Sequence, residues 1–142
     1  MKSLAPLTYL ILITSLVGCS TSSQNPISIN ANRAVGTYYK PGKTRQCANF
    51  VSDVLAKSGI NYRSSYAQAF SNFGVKVPFS NLRNGDIILL QGTYNGPNRI
   101  THIGFYQDGY LIHRPTFNSP VKKEPIGNYK KHFAEARRYY AF

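Results

Sequence analysis

The sequence feature that most constrains the fold is a change in hydrophobic periodicity near the middle of the chain. In the first half, the apolar residues have the spacing of one face of a helix. They are Cys47, Phe50, Val51, Val54 and Leu55. From residue 86 onward, short apolar runs separated by turn residues replace that spacing, which is typical of strands. Helices followed by an antiparallel sheet predict an α+β domain.

Local signals define the ends of the predicted helices. Residues 36–45 contain glycine and proline without periodicity and are expected to form a loop, and Gly59 is expected to end the first helix. Cys47 is therefore predicted in the first helical turn, on the buried face. A second helix is predicted over residues 65–73, with Gly74 beyond it.

The second half is expected to form a small antiparallel sheet. Strands are predicted at residues 86–91, 100–107, 110–114, 121–124 and 136–142, with a helical turn near 129–134. Asp108-Gly109, between the second and third of these strands, is a strong signal for a two-residue hairpin turn. The loop at residues 92–99 is predicted at the rim of a cleft.

Composition excludes several classes of protein. The 142 residues suffice for one domain, and 42% apolar with 15% charged residues is a globular composition. Two cysteines are too few for a disulfide scaffold or a cysteine-ligated zinc site, and five acidic residues argue against a calcium site or a two-metal site. No glycine-rich phosphate loop is present, so a nucleotide hydrolase is not expected.

The N-terminus is typical of an export signal. Lys2 is followed by the apolar run Leu7–Val17, which at about 1.5 Å per residue is too short to cross a bilayer core of about 30 Å. The run ends in Leu16-Val17-Gly18-Cys19, which resembles the lipobox of bacterial lipoproteins. Residues 1–18 are therefore predicted to be a lipoprotein signal peptide, with Cys19 as the lipid attachment site. The alternative is an ordinary secretory signal with an incidental cysteine.

The rest of the N-terminal region is predicted to connect the lipid to the domain. Residues 19–35 are expected to form a flexible, lipid-attached tether, because residues 20–32 are polar, rich in Ser and Asn, and nearly uncharged. The domain is expected to span residues 36–142. Ser20 stands where inner-membrane lipoproteins of related type have Asp, which favours the periplasmic side of the outer membrane if the host has two membranes.

Two of the three histidines flank the predicted hairpin turn. With Asp108-Gly109 as the turn, paired positions sum to 217, so His113 faces residue 104 and is a diagonal neighbour of His102. Both side chains then share one face of the sheet, and their rings can touch. His132 lies in a run of basic residues and is expected to be solvated.

The cysteine and these histidines could together form a nucleophilic site. A helix N-terminus stabilises a thiolate at Cys47, and an adjacent imidazole can act as its base. Taken alone, a cysteine on an apolar stripe is more often a small core residue, and a strand histidine is usually packed or exposed. The combination of a helix-N-terminal Cys47 with His102 and His113 across one hairpin favours catalysis.

Several segments resemble the NlpC family of papain-like peptidoglycan hydrolases. They are QCANFVSDVLAKSG, NGDIILLQ, THIGFYQDGYLIHRP and the closing ARRY. The resemblance implies a papain-like fold, with N-terminal helices packed on a small antiparallel sheet. It also implies a cysteine peptidase or amidase with Cys47 as nucleophile, His102 as general base and His113 as the orienting residue. No metal and no cofactor is expected.

The chain departs from this family pattern around the cysteine. Gln46-Cys47-Ala48-Asn49 stands where many members have Asp-Cys-Ser-Gly, and the usual upstream Tyr-x-x-Gly-Gly is absent. Tyr38, Tyr39 and Gln46 are the candidate oxyanion or substrate residues. The cysteine segment is also similar to that of CHAP amidases, which leaves open which bond is cut.

The implied function is hydrolysis of an amide bond in peptidoglycan stem or cross-link peptides through a thioester. The alternatives are a non-catalytic lipoprotein that binds peptidoglycan or a protein partner, and an amidase acting on another substrate. With 17 Lys and Arg against 5 Asp and Glu, the formal charge of +12 favours anionic wall or lipid surfaces as further partners. Nucleic acid is not expected, because the chain carries an export signal and no recognised nucleic-acid motif.

Overall fold

The computed structural model describes residues 24–39, 46–94, 96 and 98–140. Within these residues, two α-helices and six strands follow in chain order: α1 (Pro26–Ala34), α2 (Gln46–Lys57), β1 (Val75–Val77), β2 (Ile87–Gln91), β3 (Ile100–Gln107), β4 (Tyr110–His113), β5 (Lys122–Pro125) and β6 (Phe133–Arg138). The same ranges contain three 3₁₀ helices, at Ala67–Asn72, Phe79–Asn81 and Ile126–His132. The predicted α+β class is confirmed.

The six strands form one antiparallel sheet in the order β1-β6-β2-β3-β4-β5. Alternate residues of β2, β3 and β4 pack into different clusters, as the strand period of two requires. Ile87 and Leu89 of β2 join the main core beneath α1 and α2, while Ile88 and Leu90 join a smaller cluster on the other face. The domain therefore has two hydrophobic layers separated by the sheet. Within the described ranges, no helix combines the length and apolar character needed to cross a membrane.

Helix α2 matches the predicted helix and its buried stripe. All five stripe residues are buried, and Cys47 is the second residue of the helix. Gly59 has φ of 80°, which a residue with a side chain rarely adopts, and the backbone N–H of Ile60 donates to the Leu55 carbonyl at 2.9 Å. This glycine stop fixes where α2 ends, and the prediction of its end is confirmed.

The prediction of a flexible tether over residues 19–35 is wrong for residues 26–34, which form α1. The Asn25 side chain caps this helix by accepting from the Ile27 N–H at 2.9 Å, and Pro26 occupies the first helical position. Ile27, Ala31 and Ala34 are spaced by four and three residues and are buried in the main core. That apolar spacing was visible within the polar sequence. Residues 1–23, including the predicted signal peptide and Cys19, lie outside the described residues.

Other predicted elements differ in type or length. The predicted helix over 65–73 is a 3₁₀ helix at Ala67–Asn72, and Tyr66, within the predicted range, precedes it and is exposed. β6 begins at Phe133 rather than at residue 136, directly after the 3₁₀ helix Ile126–His132. The short edge strand β1 was not predicted. Three residues give too little alternation for a pattern to be seen.

The β3–β4 hairpin has the predicted turn and register. Asp108 and Gly109 both have positive φ, of 49° and 84°, as a tight two-residue turn of this twist requires. Gln107 pairs with Tyr110, and Gly104 pairs with His113. The turn thus sets the position of His113 relative to β3.

Candidate active site

The two hairpin histidines contact each other inside the domain. His102 Nε2 lies 2.6 Å from His113 Nδ1, and the two rings meet edge to face with centroids 4.9 Å apart. The exposed fractions are 3% for His102 and 0% for His113. The predicted juxtaposition is confirmed, whereas the catalytic roles of the two residues stay predictions.

Gly104 makes room for this contact. It pairs with His113 across the hairpin, and a Cβ placed on it would lie 2.8 Å from the His113 Cβ and 2.6 Å from the Ile112 carbonyl oxygen. Both distances are well inside van der Waals contact. The absence of a side chain at Gly104 of β3 therefore lets the His113 side chain lie close to this strand.

A carboxylate and a phenol extend the contact beyond His113. Glu124 Oε2 of β5 lies 2.6 Å from His113 Nε2, and the Tyr129 hydroxyl donates to the same oxygen at 2.6 Å. The Tyr129 ring meets the His113 ring edge to face at 5.0 Å. Sequence reasoning missed both residues. A signal existed for Glu124, because it is the one acidic residue in a predicted strand that otherwise carries lysines.

Burial sets the ionisation of these groups. Removal from water, the larger cause, and the neighbouring His113 together lower the pKa of His102 to about 3, against the opposing charge of Glu124. Burial also lowers the pKa of His113, although its hydrogen bond to Glu124 opposes that shift. The hydrogen bond from Tyr129 lowers the pKa of Glu124, with burial opposing and His113 adding to it. At neutral pH both imidazoles are therefore uncharged and Glu124 is ionised.

One ring nitrogen of this cluster takes no part in its hydrogen bonds. His102 Nδ1 is fully buried and has no hydrogen-bond partner among the residues that the structure describes. Buried polar atoms without a partner are rare, because they lose hydration and gain nothing in return. This nitrogen is therefore still able to form a hydrogen bond with a group outside the cluster.

Cys47 and His102 both lie near Tyr94. Helix α2 packs against β3, and Cys47 is buried near the helix N-terminus as a thiol and not in a disulfide. The Tyr94 ring lies 6.0 Å from the His102 ring, and burial followed by the charge of Cys47 raises the pKa of Tyr94. Tyr94 also donates through its hydroxyl to the Pro115 carbonyl. The predicted rim loop thus contributes a tyrosine that sequence reasoning had not singled out.

The remaining candidate residues lie in different surroundings. Tyr38 is 71% exposed, whereas Tyr39 is half-buried against Phe50 with ring centroids 6.1 Å apart. The side chain of Gln46 lies outside the described residues. The prediction that His132 is solvated is wrong, because His132 is half-buried and its Nδ1 donates to the Gln91 carbonyl at 3.0 Å.

A polar cleft of about 560 Å³ opens on the outer side of α2. It is lined by Tyr39, Asn49, Ser52, Asp53, Arg63, Ser64 and Ser65. On a helical wheel its α2 residues lie opposite the stripe that contains Cys47. The cleft is therefore on the other side of this helix from the buried thiol.

Known proteins show the same family and fold. The NlpC/P60 family model matches residues 36–138. No curated protein gives a significant match. Among solved structures, an NlpC/P60 family protein from Bacillus cereus is 29% identical with a TM-score of 0.58, and the alignment covers 66% of this chain and 31% of that chain.

Two further structures show the fold at lower identity. NlpC1 from Trichomonas vaginalis is 21% identical with a TM-score of 0.69, over 86% of this chain and 47% of that chain. The NlpC/p60 domain of the peptidoglycan hydrolase SagA is 23% identical with a TM-score of 0.62, over 80% and 97%. The chain spans less than half the length of the Bacillus and Trichomonas proteins. The family match, the fold and the buried histidine pair agree, and the chain belongs to the NlpC/P60 family.

Proposed function

We propose that this protein is a cysteine hydrolase that cuts an amide bond in peptidoglycan peptides, with Cys47 as nucleophile, His102 as general base and His113 as the orienting residue. The observation that carries the proposal is that Nδ1 of the neutral, buried His102 has no hydrogen-bond partner among the described residues. Such an atom is suited to accept a thiol proton. Family membership and the similarity to the domain of a peptidoglycan hydrolase support the substrate class.

The proposed reaction is acyl transfer to sulfur followed by hydrolysis. His102 Nδ1 takes the proton of the Cys47 thiol, and the sulfur attacks the amide carbonyl. Cys47 is the second residue of α2, at the positive end of the helix dipole, where backbone N–H groups can bind the developing oxyanion. The C–N bond then breaks as His102 returns the proton to the leaving amine. Water, deprotonated by His102, hydrolyses the thioester and restores the thiol.

We further propose that Cys19 carries a lipid that holds the domain at a membrane, on the periplasmic side of the outer membrane if the host has two membranes. The lipobox-like sequence ending at Cys19 supports this anchor. The formal charge of +12 supports additional attraction to anionic wall polymers or lipid headgroups.

The decisive variant is Cys47→Ala, tested by digesting purified peptidoglycan and weighing the released fragments by mass spectrometry. We expect the rate to fall by about 10⁴-fold or more, because no other group replaces the nucleophile. The circular dichroism spectrum and melting temperature of the variant are expected to match those of the parent protein. The fragment masses distinguish a cut within the peptide from a cut at the sugar–peptide bond.

A matched pair of histidine variants controls for general damage. His102→Ala is expected to lose hydrolysis as Cys47→Ala does, whereas His132→Ala, which alters a histidine outside the cluster, is expected to retain it. Full activity of Cys47→Ala would refute the proposal.

A further inference from the structure

The hydrogen bonds behind His102 do not end at His113. They continue to Glu124 on β5 and from there to Tyr129 in the 3₁₀ helix Ile126–His132. We refer to these last two residues as the Glu124–Tyr129 pair. Neither residue is needed to accept a proton from the thiol, because His102 and His113 both lie between this pair and Cys47.

We propose that Glu124, held in place by Tyr129, is a positioning residue that fixes the tautomers of both His113 and His102, so that the bare lone pair of His102 is on Nδ1. The catalytic consequence of this inference rests on the proposed function. The arrangement of protons itself does not, and it can be measured without substrate.

The proton on each nitrogen follows from the acceptors along the line. An ionised carboxylate can only accept, so His113 Nε2, at 2.6 Å from Glu124 Oε2, must carry the hydrogen. A neutral imidazole has one N–H, which leaves His113 Nδ1 as an acceptor. His102 Nε2, at 2.6 Å from that atom, must then donate. His102 Nδ1 consequently has a lone pair and no hydrogen.

The Tyr129 hydroxyl prevents the reverse arrangement. Its hydrogen bond to Glu124 is the largest cause that lowers the pKa of the carboxyl group, and it keeps Glu124 an acceptor. A protonated Glu124 could instead donate to His113 Nε2 and reverse both tautomers. The other ionisable groups around Glu124 are His113 and Lys122, which also favour its charged form.

The nitrogen left with the lone pair is also the one that no described group hydrogen-bonds. Of the two ring nitrogens of His102, Nδ1 is the one without a hydrogen-bond partner in the described part of the chain. A lone pair on this atom is therefore not engaged within the cluster and can accept a proton.

The test compares Glu124→Gln with Asp108→Asn in the full protein labelled with ¹⁵N at histidine. Glutamine matches glutamate in shape but presents either a donor or an acceptor to His113, so both tautomers become available. We expect a second set of ¹⁵N signals for His102 and His113, together with a fall in kcat of about tenfold and an unchanged KM. Asp108→Asn makes the same chemical change at the exposed hairpin turn, and we expect neither effect.

Tyr129→Phe gives a second, smaller readout. The ring that packs on His113 remains, but the donor to Glu124 is lost, so the pKa of Glu124 rises. We expect the acid limb of the kcat profile to move to higher pH, with nearly unchanged activity at pH 8. A role in packing alone would leave the pH profile in place.

The outcomes separate this inference from the proposed function. If the parent protein shows the hydrogen on His113 Nδ1, or if Glu124→Gln leaves the ¹⁵N signals and kcat as in Asp108→Asn, the positioning role is refuted even though hydrolysis stands. If the parent protein releases no peptidoglycan fragments while Glu124→Gln still changes both tautomers, the positioning of the protons stands and the proposed function fails.

Discussion

Two buried polar clusters lie in the same sheet and are built in opposite ways. In one, both oxygens of Asp86 accept from Arg138 at 2.7 Å, and the Arg83 N–H adds a further bond at 2.8 Å. In the other, His102, His113 and Glu124 form a line whose far nitrogen has no hydrogen-bond partner in the described part of the chain. We refer to Asp86 and Arg138 as the closed cluster, and to His102, His113 and Glu124 as the open cluster.

This difference separates a structural role from a chemical one. The Asp86–Arg138 ion pair joins the turn before β2 to the end of β6, and its hydrogen bond raises the pKa of Arg138 further. Both Asp86 oxygens accept hydrogen bonds, and the opposite charges of the pair offset each other inside the domain. The histidines are uncharged and leave one nitrogen without a hydrogen-bond partner among the described residues, which costs stability and, in the proposed function, provides the base. We expect substitutions in the first cluster to affect stability and those in the second to affect activity.

The largest expected effect on stability tests the closed cluster. Asp86→Asn leaves the Arg138 guanidinium buried without its carboxylate, and we expect the free energy of unfolding to fall by about 3–5 kcal/mol. Asp53→Asn makes the same change in the exposed Asp53–Arg63 pair, at 3.5 Å, and we expect a loss of about 1 kcal/mol or less. Urea titrations of both variants measure this contrast, and equal losses would show that the buried pair has no special structural role.

A smaller loss of stability is expected at Gly104, where a substitution should affect both stability and activity. Gly104→Ala places a methyl group against His113 and the Ile112 backbone, and we expect a loss of about 1–3 kcal/mol together with a strong loss of hydrolysis. Gly127→Ala is the matched control, because nothing lies within 4 Å of its added Cβ. Denaturation and peptidoglycan digestion of the two variants measure both effects. If Gly104→Ala retained full activity, the close approach of His113 to β3 would not matter for catalysis.

The last expected effect is the stability cost of the open cluster in acid. The unfolded chain takes up a proton on His102 below about pH 6.5, whereas the folded protein does so only near pH 3. The unfolded state therefore binds more protons between these values, and stability falls as the pH is lowered. We expect a loss of about 2 kcal/mol at pH 5 relative to pH 8 from this residue.

Urea titrations at the two pH values measure the acid effect. His113 adds to it with the same sign, since burial also lowers its pKa. His102→Gln removes one titrating group, so the difference between pH 5 and pH 8 is expected to shrink in that variant. An unchanged difference would show that His102 is not held neutral by the fold.

Local sequence signals predicted the parts of the site that are formed by residues close together in the sequence. The stripe that contains Cys47 and the Asp108-Gly109 turn each act over a few residues, and the turn alone was enough to bring His102 next to His113. The pairing could be counted from the sequence, because a two-residue turn fixes the register.

The parts that were missed depend on contacts distant in sequence. Glu124 reaches His113 because β5 pairs with β4 at the sheet edge, and Tyr129 reaches it because the 3₁₀ helix packs beside both strands. β6 lies between β1 and β2, an order that no local pattern specifies. The missed helix α1 is different, since its capping residue and apolar spacing were present but were outweighed by the polar composition.

Helix α1 limits how far the domain could reach from a lipid anchor. If Cys19 carries a lipid, the chain between the lipid and the first helical residue is the seven residues 19–25, which can span at most about 25 Å when fully stretched. A tether running to residue 35 would have reached about 60 Å. A tether this short would confine digestion to the layer of cell wall nearest the membrane. A longer tether would let one anchored molecule digest more of the wall.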